Sequence, residues 1–187
     1  CSGGEKNLAE AITERDSLPS MKTLGVTTLI SDSGVTRYRV NTEEWMMYDR
    51  KKPSYWAFEK GVYMEQFDSI FNVEASIKAD TAYYYDKERL WKLIGNVDIQ
   101  NRKGERFNTE LLYWNEATQK VYSDKFIRIQ QPDRIITGHG FDSNQQMTIY
   151  TIRNIEGIFY VDEEASSGPP QPETKALPDS VNKDTAK

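Results

Sequence analysis

The residues Leu90 to Gln100 alternate with a period of two: Trp91, Leu93, Gly95, Val97 and Ile99 take one face, and Lys92, Asn96, Asp98 and Gln100 fall mainly on the other. That period fits a strand buried on one side and no helix, whose faces repeat every 3.6 residues. Similar segments follow one another from Thr23 to Val161. The pattern predicts strands at 23–30, 35–47, 61–67, 73–85, 90–100, 107–114, 120–130, 134–141, 147–153 and 157–161. Between them lie turn residues such as Ser31-Asp32-Ser33-Gly34, Asn101-Arg102-Lys103-Gly104 and Gln131-Pro132-Asp133. Eleven Tyr, seven Phe and four Trp add side chains suited to a pleated, half-buried surface.

A weak repeat runs through the same region. A small residue followed by a polar one recurs at Ala79-Asp80, Gly95-Asn96, Thr109-Glu110, Ser123-Asp124 and Gly138-His139, at spacings of 16, 14, 14 and 15 residues. About fifteen residues make one strand and its turn. A small side chain at a fixed place in each strand lets the strand bend or two sheets approach. The expected fold is therefore all-β, a twisted open jelly roll or two-sheet sandwich of antiparallel strands. It occupies residues 21–161, between a polar tether at 1–20 and a Pro-rich, nearly apolar-free tail at 162–187 that cannot offset its own chain entropy and is expected to be disordered.

The function classes narrow by what the chain lacks. Net charge is −5 with both signs interspersed, so no basic stripe invites nucleic acid. No run approaches the roughly 20 apolar residues of a membrane-spanning helix. Cys1 is the sole cysteine and His139 the sole histidine, a poor basis for a metal site. No Gly-x-Ser-x-Gly or phosphate-loop motif occurs, and the many carboxylates single out no pair. Catalysis, metal and cofactor are not expected. Cys1-Ser2-Gly3-Gly4 before a polar stretch is similar to a lipoprotein amino terminus, which makes Cys1 the candidate lipid attachment point and the membrane a partner through that lipid. Two aromatic clusters, Trp45/Tyr55/Trp56 and Tyr83-Tyr84-Tyr85, fit either a core or a sugar-binding surface.

Several ordered segments carry a family resemblance. They are Ser76 to Tyr85, Trp91 to Val97, Gly104 to Trp114, Val121 to Ile127 and Ile136 to Asp142, with Gly25 to Gly34 before them. In order and spacing they resemble LptC, the periplasmic component of lipopolysaccharide export, over about residues 20–161, and most of all its Bacteroidetes-type branch. The resemblance implies a jelly roll that holds lipopolysaccharide acyl chains between two sheets. It also implies receipt of the lipid from the permeases of an inner-membrane ABC transporter and delivery to an LptA-like periplasmic protein. Strand edges would pair with neighbouring jelly rolls. The better-known members carry an amino-terminal membrane helix. Here a lipid on Cys1 would replace it, with the inner membrane favoured over the outer. Alternation assigns Leu93, Val97, Ile99, Phe107, Leu111, Val121, Ile127, Ile129 and Ile135 as inward, groove-lining candidates. The last segment, 147–161, assigns Met147, Ile149, Ile152 and Ile158 to a partner-binding edge. The alternative reading is a cell-surface lipoprotein that binds glycan through its Trp and Tyr clusters.

Overall fold

A computed structural model describes residues 17–161; Cys1, most of the tether and the 162–187 tail lie outside them. Eleven strands follow in order: β1 Met21–Asp32, β2 Val35–Tyr48, β3 Tyr55–Phe58, β4 Val62–Phe67, β5 Val73–Ala79, β6 Thr81–Tyr85, β7 Leu90–Asn101, β8 Arg106–Asn115, β9 Lys120–Gln130, β10 Arg134–Asn144 and β11 Tyr150–Tyr160. All pair antiparallel in one large sheet. The fold is the expected all-β, jelly-roll-like one.

The topology is a meander of bent strands. β2 pairs with both β3 and β4, and β7 pairs with both β5 and β6, while β3 pairs with β6 and β4 with β5. β3–β4 and β5–β6 are thus two long strands, each broken at its middle. This accounts for Val73–Tyr85, expected as one strand and divided at Asp80. Tyr55–Phe58 was not expected as a strand, and the two segments expected at 147–153 and 157–161 form one strand, β11.

The bend follows the sequence repeat. Register shifts lie between Ile94 and Val97, Thr109 and Tyr113, and His139 and Phe141, beside three of the small-polar pairs. Such bulges kink a strand and increase its twist. Gly95, at φ 78°, takes a conformation that only glycine adopts freely. Where the ladder opens, hydroxyls replace its lost hydrogen bonds. Thr42 Oγ1 donates to the Gly61 carbonyl (2.8 Å), Thr109 Oγ1 to that of Phe126 (2.7 Å) and Ser123 Oγ to that of Leu111 (2.6 Å). Within the repeat, Thr109 and Ser123 thus supply hydroxyls and Gly95 supplies backbone freedom.

The bend divides the sheet into two arms that face each other. The first contains β4 and β5, the second β3 and β6, and the long strands contribute half to each. Tyr38 of the first arm meets Trp114 of the second at 5.1 Å, and Phe107 meets Phe141 at 5.7 Å and Tyr150 at 5.2 Å. All four tryptophans line the inner face of the second arm. With Tyr84 they form a ladder, Trp45–Trp56–Tyr84–Trp91–Trp114, with centroid spacings of 5.1, 5.0, 4.7 and 6.2 Å. Trp45 and Trp56 therefore pack against the core, whereas Tyr48, Tyr55, Tyr83 and Tyr85 stack together on the outer face.

Candidate functional site

The interior between the arms collects most of the inward candidates. Leu93, Val97, Ile99, Phe107, Val121, Ile127 and Ile129 are buried within one apolar cluster. Leu111 and Ile135 are not: both are half-buried, and Leu112 and Ile136 hold the core positions beside them. At the bend β8 breaks its alternation, burying Thr109 and then Leu112 and Trp114, while the extra residues of the register shifts lie in its neighbours β7 and β9. In β10 the inward position at the start of the strand is Ile136, opposite Ile129.

At the free ends of the arms the interior reaches a polar mouth of about 540 Å³, whose walls include Arg37, Gln66, Glu74, Arg89, Gln145 and Gln146. Glu116 organises its inner rim. Its carboxylate accepts from Trp91 Nε1 (2.9 Å) and Tyr84 Oη (3.3 Å) and lies 3.5 Å from Arg89 Nε. Burial, reinforced by the Glu116 charge, pushes the Tyr84 phenol up to about 12, so it stays a neutral donor. Close to this mouth lies a small apolar recess that Tyr38, Met64, Ala75, Ile77, Trp114 and Val121 help to line. Among the described residues the buried Trp114 Nε1 has no hydrogen-bond acceptor. Trp45 Nε1 is likewise unpaired, and a buried unpaired donor costs about 1–3 kcal/mol.

A clasp joins the arms at another point. Asn101, at the end of β7, donates through Nδ2 to the Met147 carbonyl in the β10–β11 turn (2.8 Å) and to Glu105 (2.7 Å). Gln131 Nε2 donates to Glu105 and to Tyr150 Oη, both at 2.7 Å. The sequence marked Asn101 only as a turn former. Its second role spans 46 residues and leaves no local signal.

The sheet ends in two open strands, for β1 pairs only with β2 and β11 only with β10. Leu24 and Leu29 are exposed on β1, and Ile155, Ile158, Phe159 and Tyr160 on β11. The edge candidates divide. Ile158 is exposed on β11, and Ile149 is exposed just before it. Ile152 is half-buried and packs on the core. Met147 is not an edge residue: it is 1% exposed in the β10–β11 turn, part of the core and held there by Asn101. Arg153 ties β11 across two strands, donating to the Ser123 carbonyl (2.6 Å), Asp124 (2.5 Å) and Asp142 (3.0 Å).

The outside of the bend forms an open trough of about 770 Å³ among Lys78, Asp80, Asn96, Glu110, Lys125 and His139. Several of its polar groups already satisfy one another, as Asn96 Nδ2 does Asp80 at 2.7 Å. His139 is exposed and pairs with Glu156 (2.6 Å). Among the described residues no cluster of His, Cys, Asp and Glu could hold a metal ion, and no helix is long and apolar enough to cross a membrane.

The described residues thus combine a two-armed apolar interior, a polar mouth and two unpaired edges. No curated protein matches the chain. The model of the lipopolysaccharide-assembly, LptC-related family matches residues 18–158, all of the strands but the last two residues of β11, and the chain belongs to that family of lipopolysaccharide-transport proteins.

Proposed function

We propose that this domain holds the acyl chains of lipopolysaccharide between its two arms, taking the lipid from the permeases of an inner-membrane ABC transporter and passing it to an LptA-like periplasmic partner. The transfer is passive, and ATP hydrolysis elsewhere drives it. The observation that carries the reading is the interior itself: an apolar face on each arm, a mouth at the free ends, and the unpaired Trp114 N–H close to that mouth. The side chains are close-packed, so loading requires the arms to part. An apolar lining then spares each methylene exposure to water, worth about 0.8 kcal/mol, and so replaces the inter-arm contacts given up. Arg37 and Arg89 at the rim suit phosphates on the lipid head. The unpaired edges of β1 and β11 supply backbone groups for strand addition by a neighbouring jelly roll. A lipid on Cys1 would keep the domain at the inner membrane.

All four tryptophans face the interior, so intrinsic fluorescence reads its occupancy. Titration with lipopolysaccharide is expected to shift the indole emission saturably, and Trp114→Phe should remove much of the change while leaving the fold intact. An emission spectrum that lipopolysaccharide leaves unaltered would count against the proposal. So would an equal shift from its delipidated polysaccharide.

A further inference from the structure

The turn between β4 and β5 holds large apolar side chains in water. Ile70 is 77% exposed and Phe71 53%, and Val73 is exposed after them. The turn is not loose. The Asp68 carboxylate accepts from the backbone N–H of Ile70 (2.9 Å) and Asn72 (2.8 Å) and from Asn72 Nδ2 (3.1 Å), and Asp68 N donates to the Asn72 carbonyl (2.9 Å). The hydrogen bond from the Asn72 backbone chiefly holds the Asp68 carboxyl below the usual carboxylate range. Phe71 sits at φ 67°, where glycine would be unstrained, and its ring stacks on Phe67 at 4.2 Å with the Arg39 guanidinium over the Phe67 ring. Phe71 covers one face of the buried Phe67 with its ring, yet it remains half in water beside the 77% exposed Ile70, and a strained, braced turn that presents hydrophobes outward points to use.

Its surroundings indicate the use. β5 pairs with β7 so that Ala75 stands opposite Asn101, which brings the exposed Arg102 and Lys103 of the β7–β8 turn alongside. Arg102 is near enough to help lower the Asp68 carboxyl. Phe67 and Glu74, which flank the tip, also line the mouth. From this we infer that the β4–β5 turn is a membrane-docking tip. Ile70 and Phe71 enter the interfacial layer of an anionic bilayer, and Arg102 and Lys103 meet its phosphates. Two protruding side chains fall far short of the roughly 800 Å² per partner that a stable protein interface buries. They suffice for reversible binding at a lipid surface when basic residues stand beside them. The inference rests on the proposed function only in what enters at the mouth. It adds that the mouth opens against a leaflet.

The test is sedimentation of the full chain, without an acyl group on Cys1, with vesicles of phosphatidylcholine and of phosphatidylcholine plus phosphatidylglycerol. The chain should sediment with the anionic vesicles, and Ile70→Ser combined with Phe71→Ser should weaken this at least about tenfold. Arg102→Glu with Lys103→Glu should weaken it most at low salt. The tip variants should keep the lipopolysaccharide-induced fluorescence change, which separates failure of the tip from failure of the groove. Equal sedimentation of the Ser variant, or none with either vesicle, overturns the inference. Loss of a protein partner instead, with vesicle binding absent, overturns it as well.

Discussion

Replacing Gly138 with valine is expected to detach β11 and lower the thermal midpoint by about 6–12 °C. A Cβ at this position would run into the Asn154 carbonyl of β11 and lie 2.8 Å from Ile152 Cγ2. The first of these atoms is backbone, so β11 must move rather than a rotamer change. Gly138 also lies beside the register shift of the β10–β11 pair, between Thr137 and Gly138, where the strands already deviate from a regular ladder. Displacing β11 withdraws Ile152 and Tyr150 from the core. Overpacking of a core and loss of such contacts together cost on the order of 3 kcal/mol, and for a chain of this size each kcal/mol moves the midpoint by about 2–4 °C. Calorimetry checks the figure. The same variant should lose edge pairing, because β11 would no longer present an ordered strand. A midpoint within error of the unmodified chain would mean that β11 adapts, and the close approach at Gly138 would lose its importance.

Asn101→Ala is expected to make the protein less stable yet quicker to load. The substitution removes the Nδ2 donations to Met147 and Glu105, and also the Oδ1 acceptor that the backbone N–H groups of Lys103 (2.9 Å) and Glu105 (3.0 Å) use. Buried groups left without partners at 1–3 kcal/mol each suggest a loss of about 2–4 kcal/mol, since some will find water. If opening of the clasp limits uptake, a fluorescent lipopolysaccharide should enter several-fold faster. Tyr150→Phe separates clasp from turn, because it deletes one hydroxyl between Gln131 and Glu105 and keeps the ring against Phe107. It should act in the same direction with a smaller loss of stability. Uptake that slows in both variants would show that the clasp shapes the cavity rather than gating it.

The fold was largely legible because its two signals are local. Alternation in 90–100 and 120–130 marks inner faces, and the small-polar repeat marks the bend. Strict alternation misplaces Leu111 and Ile135 because β8 and β10 break their period at the bend, burying Thr109 and then Leu112, and Gly140 and then Phe141, whereas β7 and β9, which carry the extra residues of the register shifts, keep theirs. Tyr55–Phe58 gives no strand signal because four residues after a proline carry too little period to register. Met147 reads as an edge residue because it opens the last segment, 147–161, whereas Asn101, far away in sequence, fixes it in the core. The mouth and the clasp are products of tertiary closure. Glu116, Trp114 and Asn101 lie on different strands and turns, and nothing in the residues around each one marks its partner. The open edges were expected, but from resemblance and not from composition.

The central claim is that acyl chains lie between the arms. Site-specific photocrosslinking in cells tests it most directly, with a photoreactive residue at Ile127 or Phe107 on the inner face and at Arg128 on the outer one. The inner positions are expected to yield lipopolysaccharide adducts and the outer position none. Adducts from Arg128 alone, or from no position, would contradict it.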